Sequence, residues 1–164
     1  MLTAMSRAPL DLQRVFDAVV ENAVRLCRAE SGFVFQVREG LLTVRAFCGA
    51  SAGFARGSSF AVDDHSVVGR AAISGAVVQV ADVLAEPSAG PETRAAQEAE
   101  GSRAVLAVPL LREGQVTGVV SLGRNAVRPF SSEEVQLAQT FADQAAIAME
   151  NSRLYVEAAE AGER

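Results

Sequence analysis

The stretch "AVLAVPLLREGQVTGVVSLGR", residues 104–124, constrains the fold more than any other. Two apolar runs flank a charged pivot, "REG", which is the pattern of a β-hairpin whose Gly114 takes the positive φ of a tight turn. Alternation puts Val105 and Ala107, with Leu110, on one side and Ala104, Leu106 and Val108 on the other, so neither side is polar. A strand apolar on both sides is covered on both sides. Pro109 has no amide to give to a ladder, so in mid-strand it implies a bulge or a position where the missing donor is harmless.

The rest of the chain supplies the covers. "LDLQRVFDAVVENAVRLC" repeats apolar residues at steps of three, four and seven and is an amphipathic helix, with Pro9 and Asp11 expected at its entrance. "GFVFQVREGLLTVRAF" is a second hairpin, turning at Gly40. "CGASAGFARGSSF" is rich in Gly, Ala and Ser and is expected to be a loop or irregular helix. "SVVGRAAISG" reads as a two-turn helix with Ser66 as N-cap and Gly75 as stop, and "VVQV" as a short strand ending at Asp82. "ETRAAQEAEG" is an exposed helical patch, and "PFSSEEVQLAQTFADQAAIAMENSRLYVEAA" is one long helix capped by Ser131 or Ser132. Strands arrive in hairpin pairs rather than in alternation with helices, so the expected class is α+β with an antiparallel sheet.

Composition narrows the partners. With 164 residues, 49% of them hydrophobic, the chain forms one domain with a sizeable core. Its net charge of −5 and scattered arginines argue against nucleic acid. Cys27, Cys48 and His65 cannot assemble a zinc site by themselves, so no metal is expected, and two free thiols fit a reducing compartment. There is no secretory pattern at the N-terminus and no apolar run of about 18 residues, from which a cytoplasmic segment without membrane contact is expected.

Four stretches, "VFDAVVENAVRLCRAESGFVF", "SVVGRAAISGAVVQVADVLAEP", "AVLAVPLLREGQVTGVVSLGR" and "RPFSSEEVQLAQTFADQAAIAMENSRLY", together resemble a GAF domain, the last being similar to those of bacterial sensor histidine kinases. The resemblance spans about Leu10 to Tyr155. It implies a sheet of five or six strands with the N- and C-terminal helices on one face, and short helices and loops forming a pocket on the other. Residues 1–9 are then expected to be a flexible N-terminus, 10–155 the GAF domain and 156–164 a helical extension.

The function this implies is regulatory: small-molecule sensing and dimerisation in a signal-transduction protein, with no catalysis by the domain itself. Ligand-contact candidates are Phe60, Val62 and Val68 from a mobile lid, Val80 and Asp82 at the end of the short strand, and Val105 and Val108 from the sheet. Asp82 can instead form an Asx turn before "VLAEP". Homodimerisation is expected through the terminal helices, using Leu137, Phe141, Ala145, Ala148, Ser152 and Tyr155, with Ala138, Thr140 and Ile147 as a second stripe and Met149 to Val156 projecting past the domain.

Other chemistries of the family lack their residues here. His65 sits between Asp64 and Ser66 with no cysteine near it, so a covalent bilin is not expected, and one imidazole does not suffice for haem. His65 is read as a solvated or capping residue. A relative of free methionine sulfoxide reductases would need reactive thiolates, yet Cys27 lies on the buried face of the first helix and Cys48 ends a strand. A dimerisation module with no ligand is the other alternative.

Overall fold

In the computed structural model the described residues are 2–49, 55–86, 98 and 101–162. The elements are α1 (Leu2–Leu26), β1 (Ser31–Arg38), β2 (Leu41–Cys48), β3 (Ser59–Ala61), α2 (Val67–Ser74), β4 (Val78–Val80), a 3-10 turn (Val83–Ala85), β5 (Ala104–Arg112), β6 (Gln115–Arg124) and α3 (Ser132–Gly162). The strands form one antiparallel sheet in the order β3-β2-β1-β6-β5-β4. This is the expected α+β arrangement with six strands. β3 corrects the expected loop: Leu41, Leu42 and Thr43 pair with Ala61, Phe60 and Ser59, and the Thr43 and Ser59 hydroxyls share a 2.8 Å hydrogen bond. The helical patch at 92–101 lies almost wholly outside the described residues, as do residues 50–54 of the glycine-rich stretch.

Both hairpins turn on the same dipeptide. Glu39-Gly40 and Glu113-Gly114 have φ of 53°, 76°, 54° and 79°, and each pair of strands closes around two residues, as in a type I′ turn. The glycines accept this conformation freely, whereas the glutamates do so at a cost. Replacing Glu39 and Glu113 together with asparagine, which tolerates positive φ, should therefore raise stability by about 0.5–1 kcal/mol, measured by urea unfolding.

Pro109 pairs with Val119, while the pairing of β5 with β4 stops at Ala107. The missing amide thus lies beyond the reach of β4. The bulge falls one step later, between Leu110 and Leu111, where the Thr117 hydroxyl donates to the Leu110 carbonyl over 3.3 Å.

One face of the sheet is covered by α1 and α3. Phe16, Val20 and Ala23 of α1 and Ala138, Ala142 and Ala145 of α3 pack onto Val34, Leu106, Val120 and Leu122, all of them buried. Alanines on α3 let its backbone lie close to the sheet, so the long helix adds little volume of its own. α1 begins at Leu2, not at Pro9, which lies within the helix. Asp11 accordingly lies inside the helix.

A buried arginine ties these elements at one corner. Arg124, 1% exposed, donates to the carbonyls of Cys27 (2.8 Å) and Arg28 (3.1 Å) at the end of α1, and to those of Arg128 (3.1 Å) and Pro129 (2.7 Å) ahead of α3. It also pairs with Glu134 at 2.5 Å, and its guanidinium lies 3.9 Å above the centre of the Phe130 ring. Glu134 and Ser131 meanwhile complete a capping box: Ser131 N–H donates to Oε1 over 2.9 Å, and Glu134 N–H to the Ser131 hydroxyl over 3.1 Å. Ser131 is the N-cap, as the "SSEE" pattern predicts. Burial alone would raise the Glu134 carboxyl, but the bonds from Ser131 and the Arg124 charge overcome this and hold it below the ordinary range.

Candidate functional site

The second face of the sheet has a separate apolar cluster: Phe35, Leu42, Val44, Ala107 and Val119 from the strands, Val67 and Ala71 from α2, and Val83 from the 3-10 turn. It arises from simple alternation. Val34 and Val120 point to the helices, while Phe35 and Val119, their neighbours, point away from them. Arg45 breaks the alternation in β2: Val34 pairs with Ala46 but Phe35 with Val44, so one extra residue bulges between them. Leu42 and Val44 therefore face the second side, Ala46 faces the helices, and Phe47 is turned towards Phe33.

That turn completes a row of four rings. Phe33 and Phe35 stack at 5.4 Å, Phe60 meets Phe35 edge-on at 5.5 Å, and Phe47 lies 6.3 Å from Phe33. Phe35 is buried at the centre, Phe33 and Phe60 are half-buried, and Phe47 is exposed at the end. Such a row presents flat, polarisable surface suited to a ring-bearing or apolar molecule.

α2 stands over this face because its ends are fixed. Ser66 accepts from Gly69 N–H over 2.9 Å, and Gly75, φ 68°, closes the C-terminus, both as expected. Gly69 is required for another reason: a Cβ there would lie 1.9 Å from the Asp63 carbonyl oxygen. Gly69→Ala should push α2 off this turn and lower the melting temperature by a few degrees, about 1–3 kcal/mol of overpacking, read by thermal unfolding.

The rim is charged. Asp82 takes two bonds from Arg103, 2.8 Å to Nε and 2.7 Å to Nη2, and its Oδ1 also caps the 3-10 turn through Leu84 N–H at 3.1 Å. The Arg103 guanidinium beside it holds the Asp82 carboxyl below its ordinary value. The Asx-turn reading of Asp82 is thus the one observed, joined to an ion pair that sequence reasoning missed. Arg70 of α2 reaches Glu86 at 3.4 Å.

Phe60, Val62, Val68, Val80 and Val105 all pack against the second-face cluster, as a pocket side requires. Val108 does not. It belongs with Ala104, Leu106 and Leu110 to the core under the helices, because residues an even number apart share a face, so it cannot be a pocket wall together with Val105. Leu110, placed with Val105 by the sequence reading, is corrected for the same reason. Phe33, Phe35 and Phe47 were not among the candidates. The phenylalanines two apart in "GFVFQV" were the available signal, whereas the bulge that brings Phe47 round has none.

On α3 the expected dimer stripe divides. Ala145 and Ala148 are buried in the domain's own core, as are Ala138 and Met149, so these positions are unavailable to a partner and the helix packs on the sheet as far as Met149. Phe141 is half-buried against the same core. Leu137 is 37% exposed and Ile147 62% exposed on the outer side, with Thr140 and Gln144 between them. Ser152 and Tyr155 lie outside the described side chains.

Neither thiol is set up as a nucleophile. Burial, with Glu134 adding to it and Arg124 opposing, pushes the Cys27 thiol up from 9.0 to about 11, and its Sγ donates to the Glu134 carbonyl at 3.4 Å. Burial, with Glu21, raises Cys48 as well. Because the folded state holds the Cys27 proton more tightly than the unfolded chain, its contribution is complete below pH 9.0 and is lost as pH rises towards about 11. Unfolding stability should fall across that window, and Cys27→Ala should flatten the fall, measured by urea titration at each pH. His65 is exposed in a turn, its backbone N–H donating to Asp63 over 3.0 Å, consistent with a solvated residue.

Among the described residues no helix is long and apolar enough to cross a membrane. Comparison with known proteins is consistent with this architecture. The profile of one family, described as GAF domain, matches residues 11–149. No curated protein matches the chain by sequence. Among solved structures, the chain is similar to the GAF domain of a phosphoenolpyruvate-protein phosphotransferase from Coxiella burnetii, with TM-score 0.76, 17% identity, and 94% of this chain and 95% of that one covered. It is also similar to the GAF-B domain of DevS from Mycobacterium smegmatis, with TM-score 0.67, 23% identity, and 89% and 98% covered. A third is a type II free methionine-R-sulfoxide reductase from Thermoplasma acidophilum, with TM-score 0.72, 15% identity, and 88% and 96% covered.

Proposed function

The chain belongs to the GAF family, a regulatory and sensory fold, and from that premise we propose that it is the small-molecule-sensing, homodimeric input domain of a bacterial signalling protein, a sensor histidine kinase fragment with no catalysis of its own. The observation that carries this reading is the second-face cluster: apolar, lined by a row of phenylalanines, roofed by short elements and separate from the core under the helices. Its ligand is a compact, largely apolar molecule carrying a ring.

Transmission follows from the thinness of the sheet. Phe35 and Val119 face the ligand side while Val34 and Val120 face the helices, so a strand displaced by a ligand changes what α1 and α3 pack against. One pair carries the shift towards the far part of α3: Arg112 at the hairpin tip stands 3.9 Å from Glu150. The ligand must bind the two arrangements unequally. The helix runs on to Gly162, as an output connection would require.

Dimerisation uses the outer stripe of Leu137, Thr140, Gln144 and Ile147, spaced three, four and three apart. Ile147→Glu should convert a dimer to a monomer in sedimentation velocity without changing the melting temperature of the monomeric fold by more than a degree or two. A thermal-shift screen of small ring compounds tests the sensing role: hits on the wild type that weaken in Phe60→Ala, a half-buried position of the ring row, support it, and hits indifferent to that change count against it. The reductase alternative requires thiolates, and the raised Cys27 and Cys48 thiols weigh against it.

A further inference from the structure

The segment that follows β4 is built unlike an ordinary loop. Val83, the first residue of its 3-10 turn, is 0% exposed and belongs to the second-face cluster, yet its neighbours Asp82, Leu84 and Glu86 are half-buried and Ala85 is exposed. Only one side chain of this stretch is fully inserted. Both ends are held by charge rather than by a strand. At the start, Asp82 binds Arg103 twice, and Val83 N–H donates to the Arg103 carbonyl over 2.7 Å. At the end, Glu86 accepts from Arg70 of α2 at 3.4 Å.

Arg103 therefore holds the segment by both its side chain and its backbone. It stands two residues before Val105, so alternation directs it to the second face. These pairs are partly exposed, with Arg103 38% and Asp82 23% accessible, and water competes for them in a way it cannot for Arg124. Polar fastenings at each end and partial exposure on either side of Val83 are the marks of a unit that opens locally at less than the global unfolding free energy.

We propose that residues 82–86 form a strap over the second face, with Val83 as its plug and the Asp82–Arg103 and Glu86–Arg70 pairs as its two latches. In the closed state Val83 fills space in the second-face cluster, to which Ala107 and Val119 also belong. When the latches part, Val83 leaves and that apolar surface becomes accessible from the β4 side. This deepens the sensing role, since a ligand would take the volume Val83 vacates, but the strap's behaviour can be read with no ligand present.

The test is amide hydrogen exchange followed by NMR on the full chain, without added small molecules. Asp82→Asn keeps a carbonyl to cap Leu84 N–H but removes the charge that holds Arg103. It should speed exchange at Val83 and Leu84 about tenfold and leave Leu106 and Val120 unchanged. Arg103→Gln should do the same, and Arg70→Gln should do so more weakly, since its bond to Glu86 is longer, 3.4 Å against 2.7 and 2.8 Å. In the wild type the strap amides should exchange faster than those of β5 and β6 and with less dependence on denaturant. If the strap amides instead share the protection and denaturant dependence of Leu106 and Val120, or if none of the three variants speeds them, the strap is part of the permanent core and the proposal is overturned. That outcome would leave the thermal-shift test of sensing standing on its own result.

Discussion

Replacing Arg124 with alanine is expected to lower the unfolding free energy by about 3–5 kcal/mol, the cost of breaking a buried ion pair by removing one partner. The reasons are local and additive in kind. Four main-chain carbonyls, those of Cys27, Arg28, Arg128 and Pro129, lose their donor, and the Glu134 carboxylate loses its counter-charge. Two of those carbonyls end α1 and two lead into α3, so the variant should fray both helices at the corner where they meet β6. Arg124→Lys should recover little, because an ammonium has one position to offer where the guanidinium fork reaches five acceptors. For a domain of this size the loss corresponds to a melting temperature lower by roughly 6–20 °C. Urea unfolding with matched m-values would measure it; a loss under 1 kcal/mol would show the corner to be dispensable.

Phe35→Ala is expected to cost a similar amount, about 3–5 kcal/mol, for a different reason. Phe35 is 4% exposed and touches rings on two sides, stacked on Phe33 and edge-on to Phe60, so its removal leaves a ring-sized gap rather than an unpaired charge. Apolar gaps of that kind stay dry and take up apolar guests. Benzene added to Phe35→Ala should therefore restore part of the lost melting temperature, and it should do nothing for Arg124→Ala. Absence of any benzene effect on Phe35→Ala would mean that the second face collapses around the deletion.

Much of this architecture was legible because it follows from period and from turn chemistry. The two "REG" turns, the Ser66 and Gly75 ends of α2, the Ser131 cap and the both-sided apolarity of β5 are all local signals, and each is where the sequence puts it. The features that escaped are those set by distant partners. Nothing near Arg124 announces that it will meet the end of α1 about a hundred residues earlier; an arginine after "GVVSLG" looks like the polar end of a strand. β3 was hidden by composition, since "SFA" pairs only because the edge of β2 is there to receive it.

The site was half legible. Phe60, Val62, Val68, Val80 and Val105 lie on the second face, next to loop and strand boundaries that the sequence marks. Val108 lies under the helices, because strand alternation keeps it off the face that Val105 occupies. Phe47 required knowing that Arg45 bulges, and the alanines of α3, which among the described side chains all turn to the core, fit a helix seam equally well by size alone. Ala145 and Ala148 went to the core because small residues allow the helix to approach the sheet, the same property that made them look like a dimer seam.

The central claim is that the second face receives a small molecule and that paired α3 helices respond. Native mass spectrometry of the chain purified without added ligand, then titrated with the best compound from the thermal-shift screen, tests both halves in one spectrum. The account predicts a dimer mass that gains one ligand per protomer, with the gain weakened in Phe60→Ala. A monomer across working concentrations that binds nothing from the screen would contradict it.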